Sequence, residues 1–216
     1  MFGWRTSRSD PDTYLNRYPG LENEEKRRPY DYNLQFFRGV RRSVPDRMFV
    51  KEFQEDWKDE LASNGNLEYQ HGFIQWLFPI REQGMNSDAY PLQLHEAKAI
   101  REDPVCMNNV MGNYRLMLRF YGMRLVNEST GEIGRNTEEL SNGLPLWKQQ
   151  YHNLSTHSHN FLRITRILKF LGEVGKDHYQ FPFMKHVFDE IYLNGELLAC
   201  ESSARSFWVK VVAINP

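Results

Sequence analysis

Apolar residues recur every three or four positions along most of this chain, the spacing of helices that bury one face. The helical pattern begins at Tyr30. In the segment opened by Pro45 and Asp46, the side chains Phe49, Phe53, Trp57 and Leu61 recur every four residues. Asp46 is placed to cap it and the SNGN stretch from Ser63 to end it. Leu67 to Phe78 reads as one buried helix whose only polar strip is Glu68, His71 and Gln75, with Pro79 as its terminator. After the loop REQGMNSDAYP, a short helix from Leu92 to Glu102 has Pro91 near its first turn, and Pro104 then breaks the chain.

The longest helical pattern spans Met107 to Val126. Val110, Tyr114, Met117, Leu118, Tyr121 and Leu125 form one apolar arc, and Leu116, Phe120 and Met123 form a second. Two buried faces predict a central helix with neighbours on both sides. Arg115 and Arg119 sit between the arcs, four residues apart, where like charges repel unless a carboxylate or anion intervenes. Residues 127–143 are rich in turn formers and read as a surface loop. Pro145 starts a helix carrying Trp147 and Tyr151, and Pro182 starts another with Phe183, Val187, Phe188 and Ile191 inward. Ala204 to Ile214 is ambiguous, since FWVKVVAI fits a strand by propensity. With no sustained strand alternation and no internal repeat, the expected fold is all-α, a single compact multi-helix bundle around Met107–Val126.

The run from His159 to Gly175, HNFLRITRILKFLGEVG, has two distinct faces. Phe161, Ile164, Ile167, Leu168 and Leu171 share the buried arc; Ser158 or Asn160 can cap the start, and Gly172 can stop the end. His159, Arg163 and Arg166 form a basic stripe on the opposite arc. Such a stripe is either a solvated, internally paired face or an anion site, since guanidinium forks match carboxylates bidentately. The candidate ligand-binding set is therefore Arg115, Arg119, His159, Arg163 and Arg166, with Glu173 and Asp189 as the alternative structural partners.

Composition narrows the function classes. In 216 residues, 25% are charged and the formal net charge is −1, so no bulk field favours nucleic acid or an acidic membrane. Aromatics at 14% predict a core built on Phe, Tyr and Trp. Two cysteines, Cys106 and Cys200, suit reduced thiols better than a disulfide framework. The opening MFGWRTSRSD has no apolar secretory core, and apolar runs such as IQWLFPI are too short to span a bilayer, which leaves peripheral membrane association at most. Residues 1–28 read as a flexible tail, in which KRR at Lys26 to Arg28 is short for a targeting patch. His157 and His159 at a helix start should diverge by about 200°, so no metal site is expected. No phosphate loop, nucleophile elbow or metalloprotease motif occurs, so neither cofactor nor catalytic residue is assigned and the chain is read as a non-enzyme.

Several long motifs carry a resemblance. HGFIQWLFPIREQGMNSDAYPL (His71 to Leu92), YRLMLRFYGMRL (Tyr114 to Leu125), TGEIGR (Thr130 to Arg135), HNLSTHSHN (His152 to Asn160) and the His159 run closely resemble, in order, the conserved region of the opioid growth factor receptor family. NLQFFRG near Asn33 and SARSFWVKVV near the C-terminus match more loosely. The likeness covers roughly residues 29–212 and favours helix for Ala204 to Ile214. It implies an intracellular receptor, not a seven-helix one, that binds an enkephalin-type peptide of sequence Tyr-Gly-Gly-Phe-Met. It further implies a link to growth regulation and a location in cytoplasm and nucleus, with perinuclear placement. No binding residue transfers with it. The sequence ends at Pro216 without the long C-terminal tail or basic nuclear-targeting clusters of the family, so functions housed there are not expected here. The alternatives are an intracellular protein-interaction scaffold, or an anion- or phosphate-ligand-binding protein or enzyme using the arginines.

Overall fold

The computed structural model describes Tyr14, residues 30–60 and residues 65–212. Helices α1 (Tyr32–Phe37), α2 (Val50–Asp56), α3 (Asn66–Tyr69), α4 (Phe73–Leu77), α5 (Leu94–Glu102) and α6 (Pro104–Phe120) come first. Strands β1 (Met123–Asn127) and β2 (Glu132–Arg135) interrupt them, and α7 (Leu146–Thr156), α8 (His159–Glu173) and α9 (Gln180–Tyr192) follow. The C-terminal turns are α10 (Glu201–Ser203), a π-turn at Ala204–Trp208 and α11 (Val209–Val212). The fold is mostly helical, with one two-stranded sheet.

The central helix is present but displaced. Pro104 opens it instead of breaking the chain: Asp103 caps the end, its Oδ1 accepting the N–H groups of Val105 at 2.9 Å and Cys106 at 3.4 Å, and Pro at the first position gives up only an N–H that would be orphaned anyway. The helix ends at Phe120, not Val126. Gly122 has φ +77°, and a Cβ there would lie 2.9 Å from the Cα of Trp147, so glycine is needed for the reversal. Beyond it, Met123, Arg124 and Leu125 pair antiparallel with Arg135, Gly134 and Ile133. The expected surface loop 127–143 thus contains the second strand of a hairpin, whose turn is fixed by the Asn127 side chain accepting the Ser129 N–H at 2.9 Å.

Three other boundaries differ from the sequence reading. Asp46 does not cap α2; Glu52 instead reaches back to the Phe49 N–H at 2.7 Å, and Leu61 falls outside the described residues. Gly172 does not stop α8, which ends after Glu173, where Gly175 takes φ +72° and Lys176 N–H returns to the Leu171 carbonyl at 2.7 Å. Ser158 stands at the N-cap without a side-chain bond. The expected tail 1–28 lies outside the described residues except for Tyr14, which packs partly buried against the core. Ala204 to Val212 is helical, and Ile214 lies beyond the described span.

Both faces of α6 are buried, and the surrounding core is aromatic. Phe36 packs on Trp76 with ring centroids 5.5 Å apart, and Phe37 stacks on Phe170 at 5.6 Å. Trp76, Phe73, Tyr121 and Leu168 are each at most 1% exposed. A buried carboxylate ties the first helix to this frame: Glu96 accepts the Asn33 N–H at 2.8 Å, the Asn33 side-chain amide at 3.0 Å and the Gln93 N–H at 2.9 Å. Burial raises its pKa, and those donors oppose the shift.

Trp76 also spends its indole N–H on the Val44 carbonyl at 3.0 Å. Trp76→Ala is expected to destabilise the protein by about 3–5 kcal/mol, the range for deleting a buried large aromatic. Urea unfolding checks this, and an unchanged midpoint would contradict the packing described.

Candidate functional site

The predicted helix Leu67–Phe78 is broken in two, and the break builds the site. Gln70 adopts ψ 143°, so α3 stops at Tyr69 and α4 starts at Phe73. Carbonyls in the gap lose their helical donors, and a buried carbonyl without a partner is costly. Arg163 of α8 supplies them. Its guanidinium donates to the carbonyls of Leu67 at 2.6 Å, Glu68 at 3.4 Å and Gln70 at 2.7 Å, and to Asn160 Oδ1 at 3.0 Å. Its carbon also lies 5.2 Å from the Phe73 ring centroid. Glu68 completes the knot: its Oε2 accepts from Asn153 at 2.7 Å and Asn160 at 3.2 Å, and its Oε1 lies 2.8 Å from His159 Nε2.

The segment leaving this break forms one wall of a cleft of about 850 Å³, and α8 forms the other. The loop 80–92 is pinned at its base by Leu92 N–H to the Ile80 carbonyl at 2.9 Å. Within it, Asn86 donates to the carbonyls of Val44 at 3.0 Å and Gly72 at 3.3 Å. Gly84 lets the Gln75 and Arg166 side chains reach the loop, because a Cβ there would sit 1.8 Å from Gln75 Oε1 and 2.9 Å from an Arg166 nitrogen and would displace both side-chain ends. The cleft's apolar lining includes Ile74, Ile80, Met85, Leu162 and Phe207. Met85 is 85% exposed and Leu162 55%. The π-turn buries Trp208, whose indole donates to Thr165 Oγ1 at 3.1 Å, while its neighbour Phe207 faces the cleft.

The charged lining is Arg166, Lys169, Glu82 and the two histidines His71 and His159, with Arg163 behind. Arg166 donates to the Phe78 carbonyl at 3.3 Å. Lys169 has a fully buried side chain and lies 3.2 Å from Glu82 Oε2, a pairing that a buried ammonium requires. Burial holds Arg163 below the usual arginine pKa, with Tyr121 and Glu68 opposing.

Of the five candidate residues, His159, Arg163 and Arg166 line this cleft, and Arg115 and Arg119 do not. Arg115 pairs with Glu128, and Arg119 forks onto Glu138 while donating to the Lys58 carbonyl at 2.7 Å. The two stripes therefore do not converge on one pocket. Each arginine of α6 has a local carboxylate, though not Asp189, which is taken by Lys185. Arg163 is only 5% exposed and turned to the backbone, so it shapes the site more than it serves it. His157 and His159 do not diverge: their rings lie 5.9 Å apart, because His157 precedes the helix with φ −117°. His71 lies 5.3 Å from His159. Among the described residues no group of three His, Cys, Asp or Glu has metal-binding geometry.

Lys169, Glu82 and Phe207 are absent from the sequence-derived set. Lys169 follows Arg166 by three residues, so the helical period alone places it beside the stripe. Glu82 and Phe207 carry no such signal, since a loop and a π-turn position them.

Comparison with known proteins gives the same family by independent means. The family description "Opioid growth factor receptor (OGFr) conserved region" matches residues 26–215. The chain is similar to the opioid growth factor receptor of Homo sapiens, 35% identical over 97% of this chain and 29% of that protein. It is likewise similar to the Rattus norvegicus receptor, 35% identical over 98% of this chain and 35% of that protein. To opioid growth factor receptor-like protein 1 of Rattus norvegicus it is 30% identical over 92% of this chain and 40% of that protein. The chain thus spans well under half the length of these relatives. No solved structure matches it.

Two partly buried histidines should make the stability of the fold depend on pH. Burial pushes the pKa of His159 below its usual value; Arg163 adds to the shift, and Glu68 opposes it without prevailing. Burial also lowers His186, whose Nε2 lies 2.8 Å from the Tyr151 hydroxyl. Both side chains protonate more readily in the unfolded chain, near pH 6.5. Their contribution is complete above that value and is lost as pH falls below it. The melting temperature should drop between about pH 7 and pH 5, less steeply in the His159→Gln/His186→Gln double variant. Equal slopes in the two proteins would contradict this.

Proposed function

The chain belongs to the opioid growth factor receptor family, and we propose that it is a non-catalytic binding module that takes an enkephalin-type peptide in the cleft beside α8. One observation supports the reading above others: the cleft combines a carboxylate, cations and an apolar wall within about 850 Å³, a size suited to a compact ligand. A free peptide needs a carboxylate for its amine and a cation for its terminal carboxylate. Glu82 suits the amine and Arg166 the carboxylate. Ile74, Leu162, Met85 and Phe207 suit the aromatic and thioether side chains of Tyr-Gly-Gly-Phe-Met.

The growth-regulating role is likewise proposed by membership of the family, for the chain spans 29% of the human relative. Among the described residues no helix is long and apolar enough to cross a membrane. We place the protein in cytoplasm and nucleus on the same family ground. A scaffold role is the second reading, favoured by the exposure of Met85, Leu162 and Phe207 around one cleft.

Calorimetry with Tyr-Gly-Gly-Phe-Met tests the first reading. The wild type should bind, and Arg166→Ala should weaken binding by about tenfold or more, the loss of one charge-assisted contact, with unchanged circular dichroism. Glu82→Gln should weaken binding of the free-amine peptide and leave an N-acetylated one unaffected. Absence of binding to the wild type, or equal affinity in Arg166→Ala, overturns the assignment.

A further inference from the structure

Tyr14 occupies a slot that α8 and α9 build beside the cleft. Gln180 of α9 donates one amide N–H to the Leu168 carbonyl at 2.7 Å and lies 3.3 Å from the Tyr14 hydroxyl, to which it also donates. The slot's floor is Gly172. A Cβ there would fall 2.0 Å from the Tyr14 hydroxyl and 2.8 Å from Gln180 Nε2. Glycine within a helix costs about 0.5–1 kcal/mol relative to alanine, and here it is what admits the phenol. Above the ring stands Lys169, its ammonium 5.9 Å from the centroid. The same ammonium is paired with Glu82 in the cleft, so one side chain closes the slot on one side and lines the cleft on the other.

Chemically the slot is selective. It offers an amide donor for a hydroxyl, a cation beside an aromatic ring and a space that excludes one extra methyl at its floor. Burial drives the Tyr14 phenol up to about 12, with Glu173 and Asp177 adding to the shift and Gln180 opposing it. A neutral phenol therefore suits the slot, and a phenolate or phosphorylated ring does not.

We propose that this slot is a receptor site for a tyrosine side chain which Tyr14 fills in cis, so that Tyr14 competes with a tyrosine-bearing peptide bound in the adjoining cleft. The competition rests on the peptide-binding reading above; the slot itself does not. An intramolecular occupant competes without the cost of bringing two molecules together, so a peptide must exceed that advantage or borrow affinity from the cleft. Lys169 links the two sites, because its ammonium stands by the Tyr14 ring on one face and pairs with Glu82 on the other.

Tyrosinamide is the probe that isolates the slot, since it carries none of the peptide's remaining side chains. In the Tyr14→Ala variant of the 216-residue chain, millimolar tyrosinamide should shift the amide resonances of Gly172 and the side-chain amide of Gln180. Phenylalaninamide should shift them less, and the wild type should respond to neither. Adding Gly172→Ala to Tyr14→Ala should abolish the response. Affinity for Tyr-Gly-Gly-Phe-Met should rise severalfold in Tyr14→Ala. Tyr14→Phe, which keeps the ring and loses only the hydroxyl contact, serves if Tyr14→Ala unfolds, and should show a smaller response of the same sign. No shift with tyrosinamide in a folded variant overturns the slot, and shifts with unchanged peptide affinity overturn the competition. Shifts with no peptide binding in any variant overturn the cleft assignment and leave the slot standing.

Discussion

A buried guanidinium organises the functional side of this protein. Taking Arg163 out of water costs several kcal/mol, and an unpaired charge at that position would be strongly destabilising. The cost is offset because the guanidinium meets three backbone carbonyls and one amide oxygen, with Glu68 nearby and the Phe73 ring beneath. Those carbonyls are available only because the helix is interrupted at Gln70. The break and the arginine therefore depend on one another. Without the fork the carbonyls would be orphaned, and without the break the fork would have nothing to hold.

From that knot the cleft follows. Ending α3 at Tyr69 turns the chain so that α4 buries Phe73, Trp76 and Leu77 while residues 80–86 stand opposite α8. Gly84 then lets the loop close onto Gln75 and Arg166. Glu82 reaches the otherwise buried Lys169. Charge is thus retained in the cleft without being left unpaired. The aromatic frame on the other side of α6 supplies rigidity, with Arg115 and Arg119 used up by the hairpin and its neighbours. In this protein the same residue type serves three ends: scaffold at Arg163, surface pairing at Arg119 and cleft lining at Arg166.

Much of this was legible from the residues and some was not. The apolar arcs of α6, α8 and α9 predict their burial, because a 3.6-residue period leaves few ways to hide Tyr114, Leu168 or Val187. The hairpin was hidden because Met123 and Leu125 satisfy helical arcs as well as a strand, and only the turn at Gly122 and the pairing with Ile133 decide between them. The interruption at Gln70 was hidden for a deeper reason. Locally only Gly72 weakens that helix, and one glycine does not mark a break; the fork that stabilises it comes from 93 residues further along the chain. Half of the candidate site was visible as the stripe of α8, whereas Glu82 and Phe207 depend on loop closure and a π-turn, which have no sequence period.

The interdependence of fork and break can be measured directly by hydrogen–deuterium exchange on Arg163→Lys. Lysine keeps the charge and offers one ammonium where the guanidinium presents a rigid planar array. Exchange should accelerate across residues 66–86, the broken helix and the loop it launches, while the amides of α6 between Pro104 and Phe120 keep their protection. Unchanged exchange in residues 66–86, with Arg163→Lys folded, would show that the break holds itself and that Arg163 does not organise the cleft.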